Sequence, residues 1–174
     1  MCSQVFSFII QNPAVISNQG RWPLTDATLA RTLDILIRYE ARTIGLDIFR
    51  DIQVPPGGVD LDSVLKDHQN IIAVMKFGKN GVPPPQVINS PDRIGFNDIL
   101  VDRGGIVRRG LLFLDDGENV FYSFALQLAL RYLLVEGILP QPDASNPDYI
   151  ALGKTTIPPF EPNDGAYIQA DARG

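Results

Sequence analysis

Cysteine is almost missing from this 174-residue chain. Cys2 stands alone, which excludes an internal disulfide and a cysteine-based zinc site and leaves the redox compartment unreadable. Histidine is equally scarce: with His68 as the single example, a multi-histidine metal centre is ruled out and triad-type catalysis is weakened. Positive charge is not in excess, since the formal net charge is −5, the wrong sign for a nucleic-acid partner, which needs a basic face. No stretch reaches the roughly 20 apolar residues that span a bilayer. The nearest, 120–135, is interrupted by Ser123, Gln127 and Arg131. No basic region, apolar run and small-residue cleavage site follow one another at the N-terminus, so no signal peptide is read there. A phosphate-cradling glycine loop is absent, as is a Gly-x-Ser-x-Gly elbow. No cofactor and no bound metal are expected.

What the chain does contain is an ordinary globular balance, 45% apolar and 20% charged, in a length that suits one domain. Val5–Ile10 is a first-strand candidate. Pro23 with Thr25 or Asp26 marks a helix start, and Leu29, Leu33, Leu36 and Ile37 then recur at helical spacing. The run 42–49, Arg-Thr-Ile-Gly-Leu-Asp-Ile-Phe, reads as a buried parallel strand, completing a strand–helix–strand unit. A short helix over Val59–Asp67 and a strand over Ile71–Met75 follow. Gly78–Asp92, with Pro83-Pro84-Pro85, reads as a long stiff loop. Ile94–Asp98 opens a second half, in which Ile106–Leu114 reads as a strand and Val120–Glu136 as a helix stopped by Gly137. That helix carries one thin polar stripe, Ser123, Gln127 and Arg131, and is expected to be buried over most of its circumference. Pro140–Asp148 reads as a loop; Tyr149–Gly153 and Ala166–Ile168 are short strand candidates.

The expected fold is α/β, a central mixed sheet with helices on its faces. In open α/β sheets ligands gather at the carboxyl ends of the strands, which directs attention to Asp47, Arg50 and Asp51. Asp47 with Asp51 could serve acid–base work or hold a cation; the simpler reading pairs Asp47 with an arginine or backbone amides to fix the strand end. Arg108 and Arg109 fall on opposite faces of a strand, so the inward one needs a carboxylate, with Asp47, Asp51 and Asp102 as candidates, or an anionic ligand. Trp22 reads as a core plug and His68 as a solvated surface residue.

With these stretches in view, the sequence resembles the second type of CHASE domain, the extracytoplasmic sensor module of bacterial receptors. The resemblance rests on Gly20-Arg21-Trp22-Pro23-Leu24; on Ile44 through Asp51; on Gly95-Phe96-Asn97-Asp98 through Asp102 to Val107-Arg108-Arg109; and on Ser123-Phe124-Ala125-Leu126. The tail from Leu152-Gly153 to Gly174 is also similar. These stretches keep a consistent order over residues 20–174, while Pro13–Gln19 is poorly matched to the family's acidic first-strand region. The resemblance implies a single sensor domain over 1–174 without catalysis of its own, joined through flanking transmembrane helices to a cytoplasmic cyclase, diguanylate cyclase or kinase. It also implies a chain that ends before the family's last strand, leaving a sheet edge that favours a homodimer.

The polar network expected to bind a small molecule, or to support the site that does, is Arg21, Asp47, Arg50, Asp51, Asn97, Asp102, Arg108 and Arg109. A ligand-free dimerisation module is the alternative. A hydrolase using Asp47 or Asp51 as base is the remote third.

Overall fold

The computed structural model describes residues 5–7, 23–101, 105–107 and 110–158. Among them, four strands form one parallel sheet in sequence order: β1 (Val5–Ser7), β2 (Thr43–Leu46), β3 (Ile71–Met75) and β4 (Ile94–Phe96). The fold is α/β, as expected. Its antiparallel pairs lie in two small sheets, a hairpin of β5 (Phe113–Asp115) with β6 (Val120–Tyr122) and a meander of β7 (Pro140–Pro142), β8 (Ile150–Leu152) and β9 (Thr155–Ile157).

Helix α1 (Asp26–Arg38) begins where the sequence places it. Thr25 is in the extended conformation and its hydroxyl accepts the Thr28 amide at 3.4 Å, satisfying one of the donors that a helix start leaves free. Helix α2 (Gly58–Asp67) packs beside α1. Strand alternation sends Ile44, Leu46, Ile71 and Ala73 towards these two helices, where they join Leu29, Leu33, Leu61 and Leu65 in one core. The opposite face presents Gly45, Ile72, Val74 and Gly95 to helix α3 (Phe124–Leu134).

The two glycines explain how α3 sits so close. A Cβ on Gly95 would lie 2.4 Å from the Phe124 Cα, and one on Gly45 would lie 2.8 Å from the tip of the Phe124 ring. Glycine inside a strand marks a close approach of this kind.

Several boundaries differ from the sequence reading, each for a local reason. Strand β2 stops at Leu46, so Asp47 lies just beyond the strand and is exposed. Residues 120–122 are strand rather than helix. The Asp116 carboxylate accepts the amides of Glu118 and Asn119 at 2.9 and 2.7 Å, which turns the chain so that Val120-Phe121-Tyr122 pairs back on Phe113–Asp115. These amide donors also hold the Asp116 carboxyl below the usual carboxylate range. Helix α3 then starts after Ser123, whose hydroxyl accepts the Leu126 amide at 3.2 Å.

Among the residues of the expected strand 106–114 that are described, β5 begins only at Phe113. Pro140–Pro142, read as loop, is the outer strand of the meander, a position where proline's missing amide costs no ladder bond. Ala166–Ile168 and Trp22 lie outside the described residues.

Helix α3 is also less buried than its apolar composition suggests. Phe124, Leu126 and Gln127 are buried, whereas Ala125, Ala129 and Leu134 are exposed. The polar stripe faces inward. Gln127 reaches the carbonyls of Pro91 and Ile94, and Arg131 reaches Asp92 and the Gln69 carbonyl.

Candidate functional site

The carboxyl ends of β2, β3 and β4 form one rim of the sheet, and the residues that follow them are polar. Asp47 comes directly after β2 and Asn97 directly after β4. The Asn97 side-chain amide donates to Asp47 Oδ1 at 2.7 Å, linking residues fifty apart in sequence. Because β3 lies between β2 and β4, this bond arches over the end of β3, where the Asn97 backbone amide donates to the Met75 carbonyl at 3.0 Å. Beside it, Asp98 Oδ2 accepts the Phe77 amide at 3.0 Å. Alternation from Gly45 and Gly95 places Asp47 and Asn97 on the α3 side of the rim. Partial burial pushes the Asp47 carboxyl above its usual value.

On the α1 side of the same rim lies a buried ion pair. Arg50 Nε stands 3.1 Å from Asp26 Oδ1, with side chains only 7% and 1% exposed. Arg50 also donates to the carbonyls of Leu24 and Phe49. Asp26 Oδ2 accepts the Val54 amide at 2.8 Å, and the Asp26 amide returns a bond of 2.8 Å to the Val54 carbonyl. The pair therefore clamps the loop after β2 onto the start of α1. Burial lowers the Arg50 pKa, opposed by the charges of Asp26 and, more weakly, Asp51. Gly57 completes the clamp at φ +102°, with no room for a Cβ against the Ala27 backbone.

The amino-end rim carries a second polar layer. Arg93, 2% exposed, donates to the carbonyls of Ile71 and Leu65, thereby capping the last turn of α2. Arg42 pairs with Glu136 at 2.7 Å and lies 4.3 Å from the Tyr132 ring centroid, tying the start of β2 to the end of α3.

Of the residues the sequence nominates, the structure brings Asp47 and Asn97 into contact and places Arg50 beside Asp51. Arg21, Asp102, Arg108 and Arg109 lie outside the described residues. Sequence reasoning missed Asp26 as the buried partner of Arg50, because an acidic residue after a threonine cap is ordinary helix-start chemistry. It also missed Arg93, which carries no local mark beyond its place next to Ile94-Gly95-Phe96. The stripe of Gln127 and Arg131 was visible, but not its inward orientation.

Fold and rim together define a class: a parallel α/β domain with helices on both faces, whose described polar groups are engaged with one another at the strand ends. The CHASE2 domain family matches residues 9–172. The chain belongs to that family, an extracellular sensory domain family of signalling receptors. No curated protein matches the chain, and no solved structure does. Among the described residues no helix is long and apolar enough to cross a membrane.

Proposed function

We propose that this chain is the extracytoplasmic, periplasmic sensor of a bacterial inner-membrane receptor. It binds a small ligand or reports through dimer geometry, and passes the signal to a cytoplasmic cyclase, diguanylate cyclase or kinase. It carries out no catalysis itself. The family match over 9–172 is the observation that carries this reading. The build of the α3 face supports it. One helix is held to the sheet by a small apolar cluster and by polar clips at Gln127, Arg131 and Arg42. An element held in this way can have two arrangements whose balance a ligand biases.

The test is the full receptor in membrane vesicles, with output measured against a panel of metabolites and ions. At least one compound should change the output and raise the melting temperature of the 174-residue chain, since binding to the folded state alone stabilises by mass action. Unchanged output on deleting residues 1–174 would remove the sensor reading.

A second reading, a ligand-free dimerisation module, is favoured by the exposed apolar residues Leu134, Val135 and Leu139 at the end of α3. It predicts a stable dimer in sedimentation equilibrium and no thermal shift with any compound of the panel.

A further inference from the structure

Gln127 is 6% exposed. Its Nε2 donates to the carbonyls of Pro91 at 3.0 Å and Ile94 at 3.1 Å. Two acceptors around one nitrogen fix which end of the amide is NH₂ and which is oxygen. Among the described residues nothing donates to the oxygen, Oε1. Oε1 is not one of the buried side-chain atoms without a partner, so it stays within reach of solvent and of a ligand's donor.

Gln127 also lines a cleft of about 480 Å³. That volume falls within the roughly 300–1,000 Å³ of small-molecule sites. The other walls are mainly apolar, with Met75, Pro84, Ile94 and Phe121 facing the space, and Asn89 and Asp92 adding polar groups.

The loop that makes one wall is preformed. Lys76 and Val82 exchange backbone hydrogen bonds of 2.9 Å at its base, and Pro85 and Ile88 are buried at its far side. The Pro83-Pro84-Pro85 run stiffens what lies between. A site that needs little ordering loses little affinity to entropy. The long proline loop, which the rim chemistry leaves without a role, thereby acquires one.

We infer that this cleft is the ligand site of the sensor, and that it takes a small organic molecule with an apolar body and one hydrogen-bond donor directed at Gln127 Oε1. The inference rests on the sensor reading above. The cleft adjoins the Gln127 clip that holds α3 to the turn at Pro91–Arg93, so an occupant would act where the helix is fastened.

The experiment uses indole and benzofuran, bicycles of matching shape that differ in the N–H donor, added to the isotopically labelled 174-residue chain. Indole should shift the amide signals of Asn89, Asp92, Ile94 and Phe121 and the Gln127 side-chain amide. Benzofuran should bind about tenfold more weakly, the ratio expected for one lost hydrogen bond. Asn89→Trp, at an exposed position on the wall, should block indole while keeping the native spectrum. Met75→Trp provides a second block from the inner wall.

Equal binding of the two probes overturns the inference, as does indole binding untouched by both variants. Absence of shifts at the cleft also overturns it. In that last case, a panel compound that still drives receptor output leaves the sensor reading standing. Conversely, cleft-specific indole binding in a receptor whose output ignores every compound shows a binding site but overturns its role as the ligand site of the sensor.

Discussion

The two faces of the parallel sheet are held by different means. Against α1 and α2, strand residues such as Ile44, Ile71 and Ala73 meet leucines from both helices in one continuous apolar layer, anchored at its rim by the Asp26–Arg50 pair. Against α3, the strands offer two glycines with Ile72 and Val74, and the helix answers with Phe124 and Leu128. Much of the attachment there is polar, through Gln127, Arg131 and the Arg42–Glu136 pair. A thick apolar layer resists displacement because every shift opens cavities. Among the described residues α3 is held by Phe124, Leu128 and a few polar clips, so a shift of that helix opens less apolar packing. The contrast assigns the larger share of apolar packing to the first face.

That contrast can be broken at several points. The largest effect is expected from Asp26→Ala, which strands the buried Arg50 charge and should cost about 3–5 kcal/mol in urea melts. A loss below 1 kcal/mol would show that the clamp does not anchor its face. Leu33→Ala removes a side chain only 3% exposed from the apolar layer. It should cost about 3 kcal/mol and accelerate hydrogen exchange across α1, α2 and the sheet together.

On the other face, Gly95→Val drives a side chain into the Phe124 backbone and should cost about 2–3 kcal/mol. Gly45→Ala meets only the movable ends of Phe124 and Leu128 and should cost about 1 kcal/mol. Faster amide exchange confined to α3 in both variants would sharpen the comparison; exchange rising equally in α1 would erase it.

The smallest effect is at the rim. Asp47→Asn should change stability by less than about 1 kcal/mol, as for an exposed polar site. Its pH dependence has a defined sign. Because burial raises the Asp47 pKa in the folded state, the contribution of Asp47 is most favourable below the ordinary carboxylate value and is lost as pH rises through the raised value. The variant should therefore gain on the native chain between acid and neutral pH. Melts at several pH values and a carboxyl-carbon titration of Asp47 check this, and a lowered Asp47 pKa would reverse it.

Much of the framework was legible beforehand. The Thr25 cap and the leucine spacing of α1, the apolar run of β3 and the stop at Gly137 all depend on neighbours within a few residues. Local signals also misled. The apolar stretch from Val120 onward has helical composition throughout, yet its first three residues pair with β5, since the turn at Asp116 brings a partner strand within reach. The rim was half legible: Asp47 stood out as a charge within the apolar run 42–49 and Asn97 as a polar residue within Ile94–Asp98, whereas Asp26 looked like any first-turn acid.

From residue order alone came the helices and the parallel strands, the α/β class and the family resemblance, because periodicity, caps and turns are short-range chemistry. Which carboxylate meets which base, which face takes the glycines, and that a proline loop and Gln127 enclose one cleft were decided only when the strands aligned. Those contacts join residues tens of positions apart, and no local preference along a chain encodes the distance between them.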